Sequence, residues 1–208
     1  PSNVVKEMME NSIDAGAKCV RVNFRNGGKD MIQIVDDGIG MSMMDARMAF
    51  DRHATSKIRS IEDVYQLHTF GFRGEALASI AAVAEVELRT RREEDELGTL
   101  TEISGGTFRS QKPVSCSKGS QFMVRNLFYN VPSRRKFIDG DNSRLASQIK
   151  SEVQRVALVN PSVEFELRQN DAIVYSLQST NRAGRIVDIV GKHIKANLLD
   201  VEVDTSVV

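Results

Sequence analysis

An antiparallel hairpin near the start of the chain restricts the folds open to it. Val20, Val22 and Phe24 alternate with Arg21 and Asn23, the period of a strand with one apolar and one wet face. Asn26-Gly27-Gly28 supplies hairpin chemistry, and Met31-Ile32-Gln33-Ile34-Val35 reads as the returning partner. Strands joined this way do not fit the regular βαβ alternation of a doubly wound sheet. Further candidate strands lie at Val86–Thr90, Gly98–Ile103, Gly106–Arg109 and Ser120–Asn126, with Val163–Leu167 and Ile173–Leu177 as a second hairpin. Helical stretches separate them, so the expected class is α+β with a largely antiparallel sheet.

Ahead of the hairpin, Val4 to Ala17 reads as a helix buried on more than one side. Val5, Met8, Met9 and Ile13 are apolar, whereas Glu7, Asn11 and Asp14 share one face at i, i+4 and i+7. Ser2 or Asn3 can cap its start, and Gly16 ends it where a left-handed residue is wanted. Burying a carboxylate and a carboxamide unpaired would cost several kcal/mol. Two readings account for them: a solvated polar face, or a metal-and-water site. In the second, the Asn11 amide oxygen is a hard ligand for Mg²⁺ and Glu7 takes a proton from a water.

The returning strand runs directly into Asp36-Asp37-Gly38-Ile39-Gly40. A strand-end aspartate can accept from an exocyclic amine, and Gly38 and Gly40 let backbone approach a flat ring. Later, Gly71-Phe72-Arg73-Gly74 precedes a helix that runs through Ala81, offering free N–H groups and a positive dipole end to phosphate. Thr55, Ser56 and Lys57 can add hydroxyls and a cation. No G-x-x-x-x-G-K-[ST] is present, nor a G-x-G-x-x-G after a strand, which excludes the P-loop and dinucleotide architectures.

Elsewhere, Ser42 with Asp45 starts a short helix through about Phe50, and Ser60 caps a second. Asn142 is the expected cap of a long helix with Leu145, Ile149, Val153 and Val156 on one stripe, closed by Pro161. Ser179–Gly184 reads as a linker, Arg185–Val190 as a helix ended by Gly191, and Leu198–Val203 as a strand. Lys plus Arg equals Asp plus Glu at 28 each, so any affinity for nucleic acid must come from local clusters. One such cluster is Arg134-Arg135-Lys136, with Arg144, Lys150 and Arg155 beyond it. It is either a solvated basic face or a phosphate-contacting surface that binds salt-sensitively and without sequence preference. Two distant cysteines, Cys19 and Cys116, point to a reducing compartment, and no run is long and apolar enough for a membrane span. Beginning at Pro1 and ending at Val207-Val208, the chain reads as part of a longer protein.

Taken in order, E-x-x-x-N on a helix, D-x-G-x-G after a strand and G-F-R-G-E-A-L opening a helix resemble the GHKL ATPase superfamily. That superfamily contains gyrase B, the ninety-kilodalton heat-shock chaperone, sensor histidine kinases and MutL. Val4 to Ala17, Arg52 to Ile58, Gly71 to Ile80 and Asn126 to Phe137 resemble the MutL family of DNA mismatch repair proteins in particular, across essentially the whole chain. None of His53, His68 and His193 has the setting of a kinase phosphoacceptor.

The resemblance implies a Bergerat-type sandwich with helices on one face of the sheet. It assigns residues 1–180 to the ATP-binding domain and 181–208 to a linker and the start of a transducer-type domain. Glu7 is then the general base, Asn11 holds Mg²⁺, and Asp36 accepts from the adenine amine with Ala15, Gly38 and Gly40 close by. Ser120 stands where the family usually carries Thr, Gly71 to Gly74 wrap the triphosphate, and Thr55, Ser56 and Lys57 adjoin in the lid. The expected cofactors are ATP and Mg²⁺. The expected partners are DNA, a MutS-type mismatch-recognition protein and a second copy of the full-length chain, in a bacterial cytoplasm at the nucleoid. A catalytic lysine belongs to the following domain. The implied activity is ATP hydrolysis coupled to dimerisation; the alternative is a nucleotide-gated interaction module with negligible turnover.

Overall fold

The computed structural model describes residues 1–51 and 76–199. Helix α1 (Ser2–Asp14) leads into strands β1 (Cys19–Arg25) and β2 (Met31–Asp36), then a short helix α2 (Met43–Met48). After α3 (Ala76–Ala81) come β3 (Glu85–Arg91), β4 (Gly98–Ser104), β5 (Thr107–Val114) and β6 (Gly119–Arg125). Helices α4 (Pro132–Ile138) and α5 (Asn142–Val159), strands β7 (Glu164–Gln169) and β8 (Ala172–Leu177), and helix α6 (Arg182–Val190) complete the order.

The eight strands form one sheet in the order β5-β4-β3-β6-β2-β1-β7-β8. Only β1 and β7 pair in parallel, so the sheet is mixed and largely antiparallel, as the sequence implies. Alternation along the strands sends Val20, Val22, Phe24, Ile32, Ile34, Val86, Leu88, Phe122, Val124, Phe165 and Leu167 to one face. There they meet Val5, Met8 and Met9 of α1 and Ile149, Val153 and Val156 of α5. The opposite face carries Arg21, Asn23, Gln33, Arg89, Glu166 and Arg168, and grooves of about 390 and 210 Å³ open onto it.

Several local expectations are corrected. Helix α1 has Pro1 at its cap with no side-chain bond, because the helix already includes Ser2 and Asn3; Val5 N–H reaches Pro1 O at 3.1 Å. Asp141, not Asn142, caps α5: its Oδ1 accepts from the Ser143 and Arg144 N–H groups at 2.9 and 3.0 Å. Strand β5 extends well past Arg109, through Pro113, which an edge strand tolerates because its outer N–H has no ladder partner to lose. Helix α2 stops at Met48, short of Phe50.

The segment read as a linker is helical from Arg182, capped by Asn181, whose Oδ1 accepts from Gly184 N–H at 2.8 Å. Arg185 holds this helix against the body of the fold. Its fully buried guanidinium donates to the carbonyls of Ala157, Pro161, Val163 and Gln178 at 2.7–3.3 Å and lies 5.5 Å from the Phe165 ring. Of the expected strand Leu198–Val203, Leu198 and Leu199 are not in a strand and the remainder lies outside the described residues.

Candidate nucleotide site

Helix α1 and the end of β2 meet at one carboxylate. Ser12, only 2% exposed on the buried side of α1, places its Oγ 2.8 Å from Asp36 Oδ2 and 3.1 Å from Met8 O. Asp36, itself 6% exposed, receives the Gly38 N–H at 3.0 Å and the Ser120 N–H at 3.2 Å on Oδ1. A carboxylate offers about four lone-pair sites. Among the described residues three donors reach Asp36, leaving one acceptor position on Oδ2. Burial pushes the Asp36 carboxyl above the ordinary carboxylate range; the bonds from Ser12, Gly38 and Ser120 oppose that shift, and the charge of Asp37 adds to it. Asp37 faces away and fastens β1, accepting from the Lys18 and Cys19 N–H groups at 2.7 and 2.9 Å.

Register sets three side chains in a row across the sheet. Asp36 pairs with Ser120, and Ser120 with Thr90. Directly opposed residues share a face with their Cβ atoms about 5 Å apart. All three are buried on the helix-covered face. Thr90 Oγ1 accepts from Met41 N–H at 2.9 Å, lies 2.9 Å from Gly119 O and is 3.0 Å from Ser120 Oγ.

Two glycines let the loop after β2 fit between its neighbours. A Cβ on Gly38 would stand 2.8 Å from Ala15 O, which already accepts the Ile39 N–H at 3.0 Å. Gly40 has φ +72°, and a Cβ there would meet Arg91 O at 2.1 Å. Ala15, Asp36, Gly38 and Ser120 are thus brought together, and Gly40 packs against the Arg91 backbone.

Glu7, Glu10, Asn11 and Asp14 are half-buried on the same helix that delivers Ser12. Burial raises the Glu10 carboxyl; Lys6, 3.5 Å away, opposes the shift and the charge of Glu7 adds to it. Among the described residues no group of three or more His, Cys, Asp or Glu is arranged to hold a metal ion. Thr55, Ser56, Lys57, Gly71, Phe72, Arg73 and Gly74 lie outside the described residues, as do His53 and His68.

Sequence reasoning missed Ser12 and Thr90. Each sits where its element should be apolar: Ser12 on the stripe of Val5, Met8 and Met9, and Thr90 at the inward position after Val86 and Leu88. A polar residue at an inward position was the available signal.

The basic cluster divides. Arg134 and Lys136 are exposed on α4, whereas Arg135 turns back, donating to Leu127 O at 2.9 Å and standing 3.3 Å from Asp139. Arg144 is exposed, and Arg155 pairs with Glu152 at 2.6 Å.

A buried strand-end aspartate, a helix bearing a carboxylate and an amide, and a glycine loop between them thus lie together at one end of the sheet. The family model for the histidine kinase-, DNA gyrase B- and HSP90-like ATPases matches residues 1–115, and the chain belongs to that family. Within it the resemblance is to MutL. The DNA mismatch repair protein MutL of Phocaeicola vulgatus is 54% identical over 208 residues, all of this chain and 33% of the relative. Its counterpart in Bacteroides fragilis is 51% identical, again over all of this chain and 33% of the relative. The chain spans about a third of the length of these curated relatives. The Aquifex aeolicus MutL ATPase domain complexed with ADP has the same fold, with TM-score 0.74 and 28% identity over 91% of this chain and 68% of that one.

Proposed function

We propose that this chain binds ATP with Mg²⁺ and hydrolyses it as the N-terminal ATPase domain of a MutL-like mismatch repair protein. One observation carries the reading: among the described residues Asp36 keeps one open acceptor, beside Ser120, and Ser12 ties it to the helix that bears Glu7 and Asn11. Asp36 takes the adenine amine, with Ala15, Gly38 and Gly40 shaping the space for the ring. Asn11 gives one oxygen to Mg²⁺. Such an ion takes one or two protein oxygens and completes its shell with phosphates and water. Bound there, Mg²⁺ would draw charge off the phosphates. Glu7, one turn before Asn11, takes the proton from the attacking water. Thr55, Ser56, Lys57 and Gly71 to Gly74 serve the phosphates.

In the longer protein, nucleotide occupancy drives N-terminal dimerisation and coordinates repair with a MutS-type partner on DNA, in a bacterial cytoplasm. Arg134 and Lys136 face the DNA backbone. Residues 1–180 form the ATP-binding domain, and 181–208 lead towards a transducer-type domain. No helix among the described residues is long and apolar enough to cross a membrane.

Calorimetric titration of the chain with a non-hydrolysable ATP analogue, with and without Mg²⁺, tests the proposal. Binding strengthened by Mg²⁺ is expected. Absence of binding in both titrations would refute it.

A further inference from the structure

Thr90 lies one strand beyond Ser120, yet its hydroxyl decides what Ser120 can offer. A threonine hydroxyl has one proton and two lone pairs. Thr90 Oγ1 is 2.9 Å from Gly119 O, an atom that can only accept, so the Thr90 proton lies on that bond. One lone pair takes the Met41 N–H at 2.9 Å. The remaining lone pair faces Ser120 Oγ at 3.0 Å, and only a proton from Ser120 can fill that contact. Ser120 is then left with lone pairs alone. It stands next to Asp36, whose open Oδ2 position is likewise an acceptor. Two acceptors side by side suit the hydrogens of an exocyclic amine and repel a keto oxygen in the same place.

We propose that Thr90 is a specificity-determining positioning residue: by holding the Ser120 proton it makes the base pocket select a 6-amino over a 6-keto purine. The inference rests on the nucleotide reading above and adds to it the residue that sets the polarity of the pocket. Removing the Thr90 hydroxyl frees the Ser120 proton to turn towards the ligand and donate to a keto oxygen. Selectivity then falls without any loss of a residue that touches the base.

The experiment is a set of titrations of the 208-residue chain with ADP and with inosine diphosphate, for wild type, Thr90→Val, Thr90→Ser and Ser120→Ala. Wild type should prefer ADP. Thr90→Val keeps the shape and loses the hydroxyl, and should lower the ADP-to-inosine-diphosphate affinity ratio about tenfold, the worth of one hydrogen bond reversed in sign. Thr90→Ser should keep the wild-type ratio. Ser120→Ala should also lower the ratio, and adding Thr90→Val to it should change nothing further. A merely structural role for Thr90 would weaken both ligands equally and leave the ratio unmoved, which would overturn the proposal. If Thr90→Val does not fold, a wild-type ratio in Ser120→Ala would overturn it instead. Wild type binding neither nucleotide would refute the nucleotide reading, and the inference with it; wild type binding ADP while Thr90→Val keeps the ratio refutes the inference alone.

Discussion

Ser12 Oγ lies 2.8 Å from Asp36 Oδ2, joining residues 24 positions apart on a helix and a strand. The contact ties the helix that carries Glu7 and Asn11 to the carboxylate at the end of β2. In the proposed function, base recognition and the metal-bearing face would share this junction, so a shift of α1 would move both.

Ser12→Ala removes one of the three donors to Asp36. A hydrogen bond to a charged group is worth about 1.5–3 kcal/mol, so a stability loss of that order is expected in urea unfolding at neutral pH. With less support for its charge, the Asp36 carboxyl should rise further. ADP binding in this variant should therefore fail at a higher pH than in wild type.

Asp36 itself gives the pH dependence. Its folded value is raised, chiefly by burial, so the ionised group works against folding at neutral pH, and that burden lifts as pH falls through the raised value. Nucleotide binding has the opposite sign, because the amine needs an ionised acceptor. ADP affinity should fall on acidification before the ordinary carboxylate range is reached, while Asp36→Asn should show a flat profile. A wild-type profile that is also flat would remove Asp36 from the base contact.

Asn11→Ala should weaken Mg²⁺-dependent ATP binding far more than binding of adenosine, since adenosine has no phosphates for the ion to bridge. Glu7→Ala should leave analogue binding near wild type and abolish turnover. Equal loss for ATP and adenosine in Asn11→Ala would make that residue structural.

Arg185 gives a prediction about stability alone. Arg185→Leu leaves the carbonyls of Ala157, Pro161, Val163 and Gln178 without their donor in a buried setting. A cost of about 3–5 kcal/mol is expected in urea unfolding, with Arg185→Lys unable to rescue it because one ammonium cannot span the four acceptors. A loss below about 1 kcal/mol would show that α6 is not held by this side chain.

Much of this protein is legible in its sequence because the signals are local. The period-2 alternation of Val20, Val22 and Phe24 fixes which face of β1 is inward, and Asn26-Gly27-Gly28 fixes that β2 returns antiparallel beside it. Ser42 and Asp45 mark the start of α2 through a bond between near neighbours, Ser42 Oγ accepting the Asp45 N–H at 3.1 Å. Asp36, Gly38 and Gly40 announce themselves as a carboxylate and glycines at a strand end, before any tertiary contact exists.

What the sequence could not decide is which strands stand side by side. Strand β6 inserts between β3 and β2, and that order alone makes Asp36, Ser120 and Thr90 neighbours. Sheet register depends on long-range pairing whose energy is spread over many residues, so no short stretch records it. Arg185 is the same case: the sequence marks it only as the start of a helix, and only the convergence of four carbonyls, from α5, the loop between α5 and β7 and the residue after β8, supplies the partners that let it be buried. Residue types and local periods are written along the chain, whereas the satisfaction of a buried polar group is a property of everything the fold brings within 3 Å of it.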